Sequence, residues 1–308
     1  MKRKLLIASV ALLVLVLAGV AWLYHSITNR VEGQYFDSNG VRIHYTVEGE
    51  GEPVILVHGF AANADANWRV PGVTEKLAKE FKVIALDHRG HGLSDKPRDA
   101  AQYGEEMCRD IVRLMDHLKI EKAHVIGYSM GGYITLKLIT MFPDRLLSAA
   151  PCAAGWEEAG GVGDKREAIA SALEIDGDFS ALFKAISPPG KLPPRRGILS
   201  LNYMLSLTND IKALAAAMRG MSGLVVTEEQ LRANKVPTLT VIGSEDPLRT
   251  GVDRMNGVMA NQEIVFVDGG DHITTLPRAE FINTLRAFIK KNSPSSAPAS
   301  QQPEKSAA

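Results

Sequence analysis

One alcohol in this chain sits in a sequence built to expose it. His124-Val125-Ile126-Gly127-Tyr128-Ser129-Met130-Gly131-Gly132 places a serine at the centre of Gly-x-Ser-x-Gly. The apolar run before it reads as a strand and the segment after it as a helix. Such a strand-to-helix turn forces its central residue into a strained, exposed conformation. Gly127 and Gly131 remove side chains where strand and helix pass closest. Ser129 is therefore the candidate nucleophile. The Met130 N–H, left without an intrahelical acceptor at a helix start, is a candidate oxyanion donor.

A serine hydroxyl is a weak nucleophile at neutral pH and needs a general base. Of the eight histidines, His272 alone follows the last strand-like run, in Val267-Asp268-Gly269-Gly270-Asp271-His272, where Gly-Gly frees the loop. His58, His88 and His91 lie on earlier loops, His44 in a hairpin, His117 and His124 ahead of the serine turn, and His25 beside an apolar terminus. The base needs an orienting carboxylate. The loop Gly243-Ser244-Glu245-Asp246-Pro247 supplies two acids; Asp246 is the first choice and Glu245 the runner-up, although either could instead cap the following helix. A second oxyanion donor is the Phe60 N–H, just past the strand Val54–Val57 and His58-Gly59. His58 reads as a brace for that loop rather than a second base.

The elements that must position these groups alternate. Gln34–Ser38 and Val41–Val47 flank Asn39-Gly40, a tight-hairpin signal. Short apolar runs follow at Val54–Val57, Val83–Leu86, Val125–Tyr128, Leu146–Ala150, Leu239–Ile242 and Ile264–Val267, as strands covered on both faces require. Between them Met107, Ile111, Leu114, Met115 and Leu118 recur at helical spacing, as do Phe281, Ile282, Leu285, Phe288 and Ile289; both stripes read as core faces. This predicts a doubly wound, mostly parallel α/β sheet. From about 155 to 236 no convincing strand occurs. Helical pieces are expected around Lys165–Glu174, Phe179–Ile186, Tyr203–Arg219 and Glu228–Ala233, with a Pro-rich break at 187–194. About 80 residues is too long for an ordinary crossover, so this interval is expected to be a helical cap or lid. The core is then 33–154 and 237–292, with the cap over 155–236.

In 308 residues, 45% are apolar and 23% charged, which excludes collagen-like, coiled-coil or wholly disordered chains. Lys plus Arg and Asp plus Glu both total 35, so no net field draws the chain to nucleic acid. The two cysteines, Cys108 and Cys152, are too few for a disulfide framework or a four-ligand zinc site and read as small buried hydrophobes. Lys2-Arg3-Lys4 precedes an uncharged stretch, Leu5 to Tyr24, whose 20 residues as a helix would cover about 30 Å, the thickness of a bilayer's hydrocarbon core. Residues 1–25 are read as a transmembrane anchor in preference to a cleavable signal, for which Gly19-Val20-Ala21 is a weak site. The basic start should stay cytoplasmic, leaving the rest periplasmic or extracellular, with secretion after cleavage as the alternative. Residues 293–308, rich in Pro, Ser and Ala, read as a disordered tail.

The chain from about residue 33 to 291 resembles the α/β-hydrolase superfamily, in the serine-nucleophile branch with a helical cap. The residues that carry the resemblance are His58-Gly59-Phe60, Asp87-His88-Arg89-Gly90-His91-Gly92-Leu93-Ser94, Gly127-Tyr128-Ser129-Met130-Gly131-Gly132, Phe142-Pro143-Asp144-Arg145, Asp246 and His272. It implies a Ser129–His272–Asp246 triad with Phe60 and Met130 amides as oxyanion hole, no metal or cofactor, and a mainly structural role for the Asp87–Ser94 loop. A serine nucleophile argues against the dehalogenase and epoxide-hydrolase branches. The implied reaction is hydrolysis of a small or lipid-like carboxylic ester; carbon–carbon bond hydrolase, thioesterase, perhydrolase and non-catalytic binding module remain alternatives. Trp156, Phe179, Phe183, Tyr203, Met218 and Met221 either line an acyl pocket or pack cap on core, with packing preferred. Substrate identity and oligomeric state are not readable. If residues 1–25 anchor the chain, carbonate-washed membranes will retain it; recovery in the soluble fraction rejects the anchor.

Overall fold

A computed structural model describes residues 33–157 and 163–294. The predicted anchor over 1–25 and all but the start of the predicted tail lie outside them. No helix among the described residues is long and apolar enough to cross a membrane.

Eight strands form one sheet in the order β1-β2-β4-β3-β5-β6-β7-β8. They are β1 Gln34–Asp37, β2 Arg42–Glu48, β3 Pro53–Val57, β4 Lys82–Leu86, β5 Ala123–Tyr128, β6 Leu146–Cys152, β7 Thr238–Gly243 and β8 Gln262–Val267. β1–β2 and β2–β4 pair antiparallel, and the remaining pairs are parallel. The hairpin turn follows its residues: Asn39 and Gly40 take φ of 57° and 83°, the two positive values that a type I′ turn demands.

The helices are α1 Val73–Leu77, α2 Glu105–His117, α3 Met130–Met141, α4 Gly163–Asp176, α5 Ser180–Ile186, α6 Arg195–Thr208, α7 Ile211–Gly220, α8 Glu228–Arg232, α9 Arg249–Met255 and α10 Ala279–Asn292. Alternation along β3 divides the core. Ile55 and Val57 join Met107, Ile111 and Leu114 of α2 on one face; Val54 and Leu56 join Leu77 of α1 and Phe281, Leu285 and Ile289 of α10 on the other. Both predicted stripes are core faces. Cys108 and Cys152 are buried free thiols, as expected.

Between β6 and β7 the described residues hold helices α4–α8 and no strand. One expectation fails there. The helix predicted over Tyr203–Arg219 is two: the chain turns extended at Asn209, and Asp210 starts the next helix, its Oδ1 accepting the Ala213 N–H at 3.0 Å to cap α7. The apolar spacing runs on through the break and hides it.

The loop after β4 is clamped to α2 by a buried ion pair. Arg89 Nε and Nη2 donate to Asp110 Oδ2 and Oδ1 at 2.7 and 2.6 Å, and Ser38 Oγ donates to the same Oδ1 at 2.5 Å. The side chains are 2% and 0% exposed, so removing one partner strands a charge in the core. Arg89→Met should therefore cost about 3–5 kcal/mol in urea unfolding, and the joint variant R89M/D110L should regain most of it.

Candidate active site

The serine sits where its motif requires. Ser129 has φ 56° and ψ −116°, a conformation that costs about 1–3 kcal/mol for a residue with a side chain. Its N–H bonds to Cys152 O at 3.0 Å and its carbonyl accepts from Tyr133 N at 3.1 Å, so β6 and the first turn of α3 hold it in place. A Cβ on Gly127 would lie 1.9 Å from Gly131 O, and one on Gly131 would lie 2.0 Å from Val57 O. Only glycine allows that approach.

His272 reaches the serine from the loop after β8. Its Nε2 lies 2.9 Å from Ser129 Oγ, and its Nδ1 lies 2.8 Å from Asp246 Oδ2. A carboxylate only accepts, so Nδ1 carries the proton and Nε2 is free to accept from the hydroxyl. Asp246 Oδ1 is occupied by the Leu248 N–H at 2.9 Å, which fixes the carboxylate at the start of its turn. Both His272 and Asp246 are buried. Glu245 points the other way, into a surface ion pair with Lys191, and plays no part in the cluster. The two loops are tied directly, Glu245 N to Gly270 O at 2.9 Å.

The residues His58-Gly59-Phe60 lie against the serine: a Cβ on Gly59 would be 3.3 Å from Ser129 Cβ. His58 is the brace that the sequence suggested. Its Nδ1 is 2.7 Å from Gly59 O and its Nε2 accepts the His88 N–H at 3.0 Å. Asn67 Oδ1 accepts the Gly59 N–H at 3.0 Å. Among the described residues no hydrogen bond uses the amide of Phe60 or of Met130, so both remain available to an oxyanion. Asp87 lies behind this loop and touches none of the three. It accepts from the Ala64 and Leu93 amides, both at 2.8 Å, and from His44 Nδ1 at 3.0 Å. Burial pushes its carboxyl up, but those bonds and nearby His58 outweigh it and bring it to about 2.

Three contributors were not foreseen. Tyr128 donates its hydroxyl to His272 O at 2.8 Å and so pins the histidine's backbone. Asn67 holds the oxyanion loop, and Ala61, at φ 56°, turns the chain just past Phe60. A tyrosine inside a Gly-x-Ser-x-Gly motif carries no sequence signal of its distant acceptor. Of the aromatic and methionine residues of the cap interval, Phe179, Met218 and Met221 are buried, and Trp156 bonds Val226 O at 3.1 Å, all of which is packing. Tyr203 is neither lining nor packing, being exposed. No group of His, Cys, Asp and Glu among the described residues is placed to hold a metal ion.

A family model described as the alpha/beta hydrolase fold matches residues 52–170. A 2-hydroxymuconate semialdehyde hydrolase of a Pseudomonas species is 30% identical over 278 residues, covering 83% of this chain and 93% of that protein. A solved enzyme described as degrading N-acyl homoserine lactones is 28% identical with a TM-score of 0.67, over 83% of this chain and 100% of that one. A thermophilic esterase from Thermogutta terrifontis superposes at a TM-score of 0.71 with 23% identity, over 86% and 99% of the two chains, a likeness of fold.

Buried histidines surround the cluster without joining it. The His58 ring lies 4.6 Å from that of His88 and 5.3 Å from that of His91. Burial pushes His91 down to about 3 and His124 down to about 4, from an ordinary 6.5. Each is a base whose folded form refuses a proton that the unfolded chain takes up. Stability should therefore be intact above pH 6.5 and fall as the pH drops from there toward 3. His124→Gln, which can keep the bond to Ser148, should flatten that slope between pH 6.5 and 4. The change should reach up to about 1.4 kcal/mol per pH unit, measured by urea unfolding at stepped pH. An unchanged slope would place the proton uptake elsewhere.

Proposed function

The chain belongs to the α/β-hydrolase family, and from that premise we propose that it is a serine hydrolase acting on carboxylic esters through an acyl-enzyme. The observation that carries the reading is one imidazole within hydrogen-bond distance of both an alcohol and a buried carboxylate. His272 Nε2 takes the proton of Ser129 as its oxygen attacks the ester carbonyl. Asp246 stabilises the resulting imidazolium and holds its tautomer. The carbonyl oxygen, now negative, accepts from the Phe60 and Met130 amides, each such donor being worth about 10²–10³ in rate. Collapse of the adduct breaks the carbon–oxygen bond, and His272 returns the proton to the departing alcohol. Water then repeats the sequence on the acyl-Ser129 ester.

Support for an ester bond comes from the 28% identical lactone-degrading enzyme, a lactone being a cyclic ester. A second reading has its own support: the semialdehyde hydrolase relative is named for a substrate without an ester, so hydrolysis of a carbon–carbon bond on the same triad stays the alternative. We read α4–α8 as the cap over the site, and residues 1–25 as a tether that keeps the domain at a membrane on its non-cytoplasmic side.

Ser129→Ala should abolish both labelling by a fluorophosphonate probe and hydrolysis of short activated esters. Asp246→Asn should keep the fold and lower kcat by about 10⁴. Undiminished labelling of the alanine variant would overturn the assignment. A full triad that turns over a vinylogous 1,5-diketone but no ester would favour the carbon–carbon reading.

A further inference from the structure

Helix α6 carries an apolar stripe that nothing among the described residues covers. Leu199, Tyr203 and Leu207, at spacings of four, are 58%, 66% and 61% exposed, flanked by exposed Leu192 and Met204. The opposite side of the helix faces the protein: Leu205 packs on the core and Asn202 Oδ1 accepts the Phe179 N–H at 3.2 Å. The stripe is thus the outer face of a helix whose inner face is already used.

The charge along this stretch of the chain has one sign. From Pro188 to Asn209 the sequence contains Lys191, Arg195 and Arg196 and no acid. Lys191 pairs with Glu245, whereas Arg195 and Arg196 are exposed and form no ion pair among the described residues. Two acids from outside this stretch, Asp176 and Asp178, line the hollow beside Arg195, and Asp178 is engaged by Ser180 and Asn202. A strip of leucines and a tyrosine ending in two arginines matches the acyl boundary and headgroups of an anionic bilayer.

The register of the sheet puts the predicted tether at the same end. Gln34 is level with Tyr45, Tyr45 with Leu86, and Leu86 with Val57. The chain therefore enters the fold level with the carboxyl ends of β3 and β4. The interval that holds α6 leaves the sheet at the carboxyl end of β6, and Lys191, just ahead of α6, pairs with Glu245 in the loop at the carboxyl end of β7. The eight residues 25–32 reach at most about 28 Å, so a span at residues 5–24 would hold this end of the domain against lipid. A tether of that length makes even a weak surface contact effective.

We propose that the Leu199–Tyr203–Leu207 face of α6 docks on an anionic lipid bilayer, with Arg195 and Arg196 at the headgroups. This rests on the anchoring of residues 1–25 and is independent of the hydrolase chemistry. The test uses the full chain reconstituted into vesicles of equal parts phosphatidylcholine and phosphatidylglycerol. An environment-sensitive fluorophore is placed at Ser206→Cys, on the rim of the stripe; Cys108 and Cys152 are buried and do not compete. The probe should be quenched by doxyl-lipid and shielded from iodide, while one at Glu121→Cys, at the amino end of β5, stays open to iodide. Arg195→Gln with Arg196→Gln should cut the docked-to-undocked ratio roughly thirtyfold, about fivefold per charge. Leu199→Glu with Leu207→Glu should abolish docking without unfolding, since both sites are exposed. Ser129→Ala should dock as the parent does, which separates this result from the hydrolase reading. Iodide access at position 206 unchanged by vesicles would overturn the proposal, whether or not the chain inserts. So would shielding that follows the protein-to-lipid ratio, the mark of a second copy on the stripe.

Discussion

A single imidazole has to touch two groups that arrive from different loops. His272 bridges Ser129 and Asp246 at 2.9 and 2.8 Å, and these partners lie 143 and 26 residues away in the chain. A hydrogen bond weakens steeply a few tenths of an ångström beyond those lengths. The fold must therefore fix three loops against one another to better than the width of an atom. A parallel sheet does this because the carboxyl ends of β5, β7 and β8 all point to one edge. The loops that leave that edge are then tied by direct hydrogen bonds: Glu245 N to Gly270 O, Ser129 N to Cys152 O, and Tyr128 Oη to His272 O.

The same constraint explains where glycine is needed and where strain is stored. Strand β5 and helix α3 approach until Gly127 meets Gly131, and α3 approaches β3 until Gly131 meets Val57 O. That closeness lets Ser129 hold a positive φ, because its amide and carbonyl are both claimed by neighbours. The loop at Gly59-Phe60 is held by the same principle. His58, Asn67 and the Asp87 cage immobilise Gly59 and its neighbours. Burying neutral and anionic polar groups behind one loop is costly unless each finds a partner. Several do not: both ring nitrogens of His88 and Nε2 of His91 lack one. Part of the acid sensitivity expected of this fold therefore arises behind the site, at His91, and part at His124 on the amino end of β5.

What could be read from the residues follows from how local each signal is. The serine turn, the Asn39-Gly40 hairpin and the core stripes are set by neighbours within one element, and all are where the sequence puts them. The order of serine, acid and histidine was legible because each closes a strand-like run. The choice of Asp246 over Glu245, with which the geometry agrees, had less behind it. They are adjacent, and only the turn made by Gly243, Asp246 and Leu248 decides which side chain faces inward. Tyr128 was invisible for a related reason, since its acceptor is a backbone carbonyl 144 residues away. The division of Tyr203–Arg219 into α6 and α7 was in principle readable, an aspartate at 210 being a good helix start. The unbroken apolar spacing argued against it. That spacing comes from two sources: α7 buries Ala213, Leu214 and Ala217, whereas α6 exposes Leu199, Tyr203 and Leu207. A pattern of apolar residues records which face avoids water and not what it meets instead.

The polarity of the sheet then organises the whole molecule. Because the parallel strands share one direction, their carboxyl edge collects the serine, the acid, the histidine, the Gly59 loop and the start of the helical interval that follows β6. The amino edge receives return connections such as the segments before β5 and β7. The antiparallel strand β2 reverses that direction, and β1, antiparallel to β2, reverses it again, so β1 runs with the parallel strands. Its start nevertheless lies level with Leu86, because β1 pairs only with Arg42–Tyr45, the half of β2 that adjoins the carboxyl edge. The register of one short marginal hairpin thus decides at which edge of the sheet residue 34 lies.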